Sequence, residues 1–348
     1  MSANSAEMMD QGLSERQQAV LGMIVSEYVA SAAPVGSDTI VRKYCPGVSA
    51  ATVRHDMVTL ASAGYVYLPH TSAGRVPSDE GYRYYVRQLM QPAELSPDER
   101  RTIDHLFHQI ERDLGQWTQL AATVLAQSTG NASIVTSPRV RQSQFRHLQL
   151  IATQDCAALV VALLGEGTLH QQLLVQSQPL RQGELDGVAR RLNAELRGLS
   201  AAEIQGWLGT QSSLERGVRD CLVDLMRRAD QQALPGVCHG GVSSLLAQPE
   251  FARGEKAQEI LRAFEQTALA VELADAVLEY PGVRIMIGDE VPWPILHGCA
   301  VVGARYGTGH SGGAMAVIGP TRMRYDRVIA TIQYVGEVMT DLWAELCG

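Results

Sequence analysis

Apolar residues near the N terminus recur every three or four positions, a spacing typical of amphipathic helices. Ser14-Glu-Arg-Gln17 forms a capping box just ahead of this pattern, which predicts a first helix over residues 14–31. A break at Ala33-Pro-Val-Gly36 follows, and Ser37 is placed to cap a short second helix that ends near Tyr44. The chain therefore begins with two consecutive helices.

A third predicted helix has two unlike faces. Ser49 caps it, and Gly64 ends it. At about 100° per residue, one stripe is apolar and is predicted to be core: Ala50, Val53, Met57 and Leu60. The opposite side carries small or hydrogen-bonding residues: Ala51, Thr52, His55 and Thr59, with Arg54 beside them and Val58 fitting poorly. That polar side is free to contact another surface.

A short strand pattern follows this helix. Tyr65-Val-Tyr-Leu68 reads as a strand, and Pro69-His-Thr-Ser-Ala-Gly-Arg-Val-Pro77 reads as a polar loop with a returning edge. Three short helices and a hairpin predict a winged helix-turn-helix, a module whose third helix lies in the major groove of DNA. The pattern leaves a second interpretation open, in which the polar face is simply a solvated surface.

The remainder of the chain alternates between strand-like and helical segments. After a proline-rich linker at 91–97, the capping box Ser96-Pro-Asp-Glu99 predicts a helix of about 30 residues that ends near 128. Predicted strands cover 133–136, 145–153, 157–164, 168–175, 283–287, 300–306 and 313–318, with a turn at 165–167. Helical patterns cover 183–232 and 256–278 and return near the C terminus.

This order predicts an α+β protein with an N-terminal winged helix-turn-helix and a sheet domain that a mostly helical insertion interrupts. We place four regions along the chain: the DNA-binding domain at 1–90, a linker and long helix at 91–130, the sheet domain at 131–178 and 280–348, and the insertion at 179–279.

The formal net charge of −8 over 348 residues would ordinarily argue against nucleic acid. Residues 1–90, however, contain seven Arg or Lys against eight Asp or Glu, so almost all of the acidity lies elsewhere. Only Lys43 and Lys256 are lysines, so contacts to phosphates or bases would fall mainly to arginine. The charge distribution is therefore compatible with DNA binding by the N-terminal region.

No pattern supports catalysis, a cofactor or a bound metal. Gly307-Thr-Gly-His-Ser-Gly-Gly313 lacks the lysine of a phosphate-binding loop and is better explained as a hairpin between strands. The six cysteines are dispersed without a CxxC pair, so we expect neither a disulfide scaffold nor a zinc site. No apolar run approaches roughly 18 residues, and we expect a cytoplasmic protein that is not an enzyme and has no membrane partner.

Several extended motifs follow one another along nearly the whole chain. In the N-terminal region they are Ala33-Pro-Val-Gly-Ser37, Val48-Ser-Ala-Ala-Thr-Val-Arg54, Asp56-Met57, the loop 69–77 and Gly81-Tyr-Arg83. In the C-terminal region they are Ile287-Gly-Asp-Glu290 and Val317-Ile-Gly-Pro-Thr-Arg-Met-Arg-Tyr325. Together these motifs resemble those of the bacterial HrcA family of heat-inducible transcription repressors, and the resemblance runs nearly end to end.

The resemblance implies a sequence-specific repressor of heat-shock (chaperone) operons that is released on heat stress. It implies that a homodimer binds double-stranded DNA at an inverted-repeat operator and that a chaperonin modulates this activity. It also implies that the sheet domain is GAF-like and that its insertion is the dimerising region. The alternative from another class is a small-molecule-sensing transcriptional regulator that uses the GAF-like domain.

We assign DNA contacts to ten residues of the N-terminal region. The candidates for the groove are Thr52, Arg54 and His55. The candidates for phosphate contacts are Ser37, Arg42, Lys43 and Ser49, and those in the wing are His70, Thr71 and Arg75. Two positions depart from the family pattern, which usually has asparagine in place of both His55 and Val291, so base preference and the role of the loop after Glu290 are open.

Overall fold

The computed structural model describes residues 12–70, 74–110, 113–140, 143–154, 156–165, 169–209, 212–232, 236–251, 254–308 and 311–347. The chain divides into two compact units. The larger unit contains Met1–Ser137, Gly236–Gly307 and Gly313–Gly348. The smaller unit contains Pro138–Pro235 and Thr308–Gly312.

The first three helices of the larger unit are α1 (Glu15–Ser31), α2 (Ser37–Tyr44) and α3 (Ala50–Ser62). The predicted capping box of α1 is confirmed, because Ser14 Oγ accepts a hydrogen bond from Gln17 N and Gln17 Oε1 accepts one from Ser14 N, at 3.4 and 3.0 Å. The expectation that Ser37 caps α2 is wrong. Gly36 occupies the N-cap position, and Ser37 is the first helical residue.

The predicted hairpin is present as strands β1 (Val66–Tyr67) and β2 (Val76–Pro77). They pair antiparallel, with Val66 opposite Pro77 and Tyr67 opposite Val76. Helix α4 (Asp79–Tyr84) follows and continues into a π-helical turn, Tyr85–Leu89. Buried apolar side chains from all three helices hold the winged helix-turn-helix together, among them Leu21, Ile24, Ile40, Val53 and Leu60.

The prediction of one long helix after the linker is wrong, because two helices occupy that region. They are α5 (Pro97–His108) and α6 (Leu114–Thr129). The capping box of α5 is as predicted, with Ser96 and Glu99 bonded to each other's backbone. Asp113 has extended backbone angles and accepts a hydrogen bond from Gln116 N at 2.8 Å, so this residue begins a new helix although the apolar spacing continues through it.

The predicted strands and helices of the remaining chain are present, together with short strands near residues 139 and 237 and a short helix near 242 that were not predicted. The strands are β3 (Ala132–Thr136), β4 (Arg139–Val140), β5 (Phe145–Gln154), β6 (Ala157–Leu164), β7 (Leu169–Val175), β8 (Val237–Gly240), β9 (Val283–Ile287), β10 (Cys299–Thr308) and β11 (Ser311–Pro320). The helices are α7 (Gln182–Leu196), α8 (Ala201–Gly206), α9 (Ser213–Gln232), α10 (Val242–Leu246), α11 (Gly254–Glu265), α12 (Thr267–Leu278) and α13 (Tyr325–Cys347). Part of the predicted turn at 165–167 lies outside the described residues.

The sheet of the larger unit has the strand order β8-β3-β11-β10-β9, and β4 pairs with the start of β11. Alternate residues of its strands face opposite ways, as the strand period of two requires. One set packs with α6, α13 and the winged helix: Val135, Ala300, Val302, Met315 and Val317. The other packs with α11 and α12: Ile134, Val301, Ala314, Ala316 and Ile318. Both faces are therefore filled by the protein's own side chains.

The smaller unit has a sheet of its own, with the strand order β5-β6-β7. Helices α7, α8 and α9 cover one face of it, and Phe145, Leu148, Val160, Leu192 and Leu222 form part of the core. The predicted region limits differ from this division. Strands in 145–175 were placed in the sheet domain, and among the described residues they pair with one another in a separate sheet. Residues 236–279 were placed in the insertion, and they lie in the larger unit.

Candidate nucleic-acid interface

Helix α3 separates a buried side from an exposed one. Val53, Met57 and Leu60 are buried as the apolar stripe predicts, and Arg54 and His55 are exposed on the other side. Thr52 is half-buried. The two residues most able to bond base edges therefore project from the same side of the third helix, where a winged helix-turn-helix contacts the major groove.

The N-terminal turn of α3 is capped by Ser49, whose hydroxyl accepts a hydrogen bond from Thr52 N at 3.1 Å. The Ser49 and Thr52 hydroxyls also bond to each other at 2.8 Å. Ser49 is exposed. Because the first N–H groups of a helix carry a partial positive charge, this turn is chemically suited to face a phosphate.

Ser37 lies between helices instead of on the surface. Its side chain is buried, and its hydroxyl accepts a hydrogen bond from Arg54 Nη2 at 3.4 Å. This contact ties α2 to α3 and restrains the Arg54 guanidinium. A direct phosphate contact by Ser37 would require that bond to open, whereas Arg54 keeps other N–H groups for DNA.

The two cations at the end of α2 have different surroundings. Arg42 and Lys43 are both exposed. Lys43 Nζ, however, lies 2.7 Å from one oxygen and 2.8 Å from the other oxygen of Glu27 on α1. Glu27 is buried, and the bond from Lys43 lowers the pKa of this carboxyl below its ordinary value. Lys43 therefore holds α1 and α2 together, which leaves Arg42 as the stronger phosphate candidate.

The wing is anchored at its base by a two-residue bridge. Val35 N bonds to Arg75 O at 2.9 Å, and Arg75 N bonds to Val35 O at 2.8 Å. A Cβ at Gly74 would overlap the Val35 backbone, so only glycine permits this approach. His70 is exposed and Arg75 is half-buried, while Thr71 lies outside the described residues.

An ion pair between a buried carboxylate beneath α3 and an exposed arginine was not predicted. Asp56 is 1% exposed, and Arg16 Nε and Nη2 donate to its two carboxylate oxygens at 2.8 and 3.0 Å. Its position three residues after Val53 and four before Leu60 places Asp56 on the apolar stripe. That spacing was a signal in the sequence, because a carboxylate on a buried stripe needs a cationic partner.

Among the residues that the structure describes, His, Cys, Asp and Glu side chains do not gather in any group of three that could hold a metal ion. Free thiols are present at Cys45, Cys156, Cys221, Cys238 and Cys299. Within the same residues, no helix combines the length and the apolar character that crossing a membrane requires.

A winged helix-turn-helix with an exposed third helix, joined to an α+β sheet domain, defines a DNA-binding transcription regulator. A family model described as the HrcA protein C-terminal domain matches residues 115–329. Two proteins, both called heat-inducible transcription repressor HrcA, are 38% identical to the chain. The match with the Roseiflexus castenholzii protein covers 97% of this chain and 96% of the relative, and that with the Chloroflexus aurantiacus protein covers 96% and 95%.

The chain belongs to the HrcA family of heat-inducible transcription repressors. This assignment places it among transcription repressors and not among enzymes. A crystal structure of a hypothetical protein shares the fold, with a TM-score of 0.56 and 24% sequence identity, and the match covers 96% of this chain and 98% of the other.

Proposed function

We propose that this chain binds double-stranded DNA as a homodimer at an inverted-repeat operator, represses heat-shock (chaperone) operons in the cytoplasm, and releases the operator on heating. The observation that carries this proposal is the exposed face of α3, where Arg54 and His55 project outward from a helix whose other side is buried. A third helix placed in this way reads base edges in the major groove.

The ten assigned residues divide by their surroundings. Arg54, His55 and Thr52 are proposed to meet base edges, and Thr52 does so from a half-buried position. Ser49 and Arg42 are proposed to meet phosphates from exposed positions at the ends of α3 and α2. Ser37 and Lys43 are bonded to other residues of the domain, so their proposed contribution to DNA binding is through the positions of α2 and α3. His70, Thr71 and Arg75 are proposed to contact DNA from the wing.

The homodimer is proposed to form through the smaller unit. Strand β7 is an edge strand of the sheet β5-β6-β7, and on one face it exposes Leu169, Leu173 and Val175 by 71, 54 and 68%. An apolar edge strand is an unstable surface in water and pairs readily with another strand. A second copy related by a two-fold axis presents the same strand antiparallel, and the same symmetry matches an inverted repeat.

Heat release is proposed to follow from marginal stability, because a few kcal/mol suffices to shift a folding or dimerisation equilibrium. A chaperonin is proposed as the modulator that maintains the active protein. The small-molecule-sensing alternative is less supported, because buried side chains fill both faces of the larger sheet. A ligand site within such a domain requires a cavity with a few converging polar groups.

The test is binding of the purified chain to a labelled inverted repeat and to a scrambled duplex, at about 0.15 M salt, before and after a heat step. Preference for the repeat, reduced by Arg54→Ala and by Arg75→Ala and lost on heating, is expected. Arg101→Ala is the matched control, since this arginine is exposed on α5 and pairs with Asp98. Equal binding to both duplexes, with and without chaperonin, would refute the proposal.

A further inference from the structure

Two motifs that the DNA contacts leave unexplained meet in the structure. Gly81-Tyr-Arg83 lies on α4, directly after the wing, and Ile287-Gly-Asp-Glu290 ends β9 and forms the short 3₁₀ turn Gly288–Glu290. The two segments are about 200 residues apart in the chain, yet they lie against each other within the larger unit. We call this contact the α4 junction: Asp79, Arg83 and Arg87 on one side, Gly288 and Glu290 on the other.

The closest approach in the junction is between Asp79 and Gly288. A Cβ at Gly288 would overlap the Asp79 carboxylate, so the carboxylate lies directly against the glycine backbone. Gly288 also has φ +58, a conformation that side-chain-bearing residues rarely adopt. Any residue other than glycine would therefore strain the turn and displace the Asp79 carboxylate.

Glu290, in the turn after β9, forms ion pairs with arginines of α4 and of the π-helical turn that follows it. One of its oxygens lies 3.3 Å from Arg87 Nη2 and 3.9 Å from Arg83 Nε. Its other oxygen accepts a hydrogen bond from Ile287 N at 3.3 Å, which turns the carboxylate towards α4. Arg83 also pairs with Glu80 at 3.2 Å, so it is held from both sides. Arg87 is 67% exposed and Glu290 is 31% exposed, and a partly exposed ion pair is weak enough to open reversibly.

The start of α4 also contacts the residues that directly follow α3, the recognition helix of the proposed function. Ser78 caps α4, and its hydroxyl donates to Gly64 O at 2.5 Å, just beyond α3. Ser78 N bonds to Tyr65 O at 3.0 Å, and a Cβ at Gly81 would overlap that same oxygen. Helix α4 and its cap therefore contact Gly64 and Tyr65, which directly follow α3, and α4 also contacts the turn after β9.

Apolar packing reinforces this arrangement. Tyr82 of α4 is 1% exposed, and its ring centroid lies 6.2 Å from that of Tyr325, at the start of α13. Both rings belong to one core that includes residues of α1 and α3 and residues of β10 and β11. A movement of the sheet domain at this core therefore displaces α4, and with it the end of α3.

We propose that the α4 junction holds the recognition helix in its DNA-binding position, and that Gly288 and Glu290 are positioning residues whose separation from α4 releases the operator. This inference rests on the proposed function. It assigns to the sheet domain a role in temperature response that requires no ligand, because the turn after β9 and the shared core both contact α4 directly. In the structure, where α4 contacts the turn after β9, Arg54 and His55 are exposed, as DNA binding requires.

The test compares Glu290→Gln, which removes the charge at constant size, with Glu259→Gln, a control on α11 that removes an exposed partner of Lys256. Operator affinity is measured across temperature, and melting is followed by circular dichroism in parallel. We expect Glu290→Gln to weaken operator binding by at least about fivefold, the low end of typical coupling between sites. The control should bind as the wild type does. Unchanged or tighter binding by Glu290→Gln would overturn the proposal.

Two further measurements separate positioning from loss of folding. The exchanged pair Arg87→Glu with Glu290→Arg should recover binding that each single change loses, and additive losses would count against the ion pair. Hydrogen exchange needs no DNA. Glu290→Gln should speed exchange of amides in 50–67 by at least about fivefold while those in 145–175 stay unchanged. If the wild-type chain shows no operator preference, the proposed function fails, while exchange still decides whether the junction positions α3.

Discussion

The guanidinium of Arg16 on α1 binds both carboxylate oxygens of Asp56 on α3, at 2.8 and 3.0 Å. Asp56 is buried, so the carboxylate has lost most of its contact with water and depends on this partner. The two-point contact fixes the rotation of α3 about its own axis. That rotation determines whether Arg54 and His55 face outward.

Replacing Asp56 with asparagine should therefore impair both folding and DNA binding. The amide cannot accept two charged hydrogen bonds from Arg16, so we expect a lower melting temperature and operator binding weakened by about tenfold, which corresponds to about 1.4 kcal/mol. Asp98→Asn is the matched control, because this aspartate is 88% exposed in its pair with Arg101 and such pairs contribute about 0–1 kcal/mol. Equal melting temperatures for the two variants would contradict this role of Asp56.

Two substitutions of Ser49 distinguish its role as the cap of α3 from its proposed contact with a phosphate. Ser49→Ala removes the bond to Thr52 N and should lower the free energy of unfolding by about 1 kcal/mol. Ser49→Asp keeps a good cap and adds a negative charge at the helix N-terminus, so stability should be retained. Operator binding by Ser49→Asp should nevertheless fall by about tenfold or more. A Ser49→Asp protein that binds the operator normally would rule out a phosphate near this turn.

Local signals predicted local structure well. The capping boxes at Ser14 and Ser96 each act within four residues, and both helices begin where these boxes place them. The continuous apolar run over 157–164 likewise gave the bounds of β6. Such features depend on backbone geometry that neighbouring residues determine.

Contacts between distant residues could not be predicted in the same way. Arg16 pairs with Asp56 across 40 residues, and spacing identifies a buried carboxylate without identifying its partner. Periodicity cannot report which strands share a sheet, so it did not separate β5, β6 and β7, which form a sheet of their own. The α3 surface was predicted more completely, because a single helix determines which residues share a face. The surroundings of Ser37 and Lys43 depended on α3 and α1, which pack against α2 only in the folded domain.

Glu27 should make part of the stability depend on pH. The bond from Lys43 lowers the pKa of Glu27 below its ordinary value of 4.5. Its stabilising contribution is therefore fully present above that value and is lost as the pH falls through the lower folded pKa. Glu27→Gln should lower the melting temperature at pH 7, and the difference from wild type should shrink between about pH 5 and about pH 3. Glu15→Gln, exposed on the same helix, is the control. A difference that is constant with pH would exclude this ion pair as the cause.

The salt dependence of operator binding should be moderate. Residues 1–90 carry nearly balanced charge, and Lys43 is occupied by Glu27. Arg42 and Arg75 from each of two copies would neutralise about four phosphates, which gives a slope of log K against log salt of about −4. Titration of binding between about 0.05 and 0.3 M salt measures it. A slope near −9, as for about ten phosphates, would mean that further cations contact the DNA.

Leu173 should control assembly through the smaller unit. It is 54% exposed on β7 between Leu169 and Val175, and it lies opposite Leu159 on β6. Leu173→Glu places a charge in the apolar row, so the proposed homodimer should dissociate because a buried unpaired carboxylate is costly. Sedimentation should then give a monomer, with operator affinity reduced because one copy contacts only half of an inverted repeat. Leu208→Glu is the control, at a leucine that is 92% exposed in the same unit. If both variants remain dimeric, the interface lies elsewhere, and the inverted-repeat model then requires another two-fold contact.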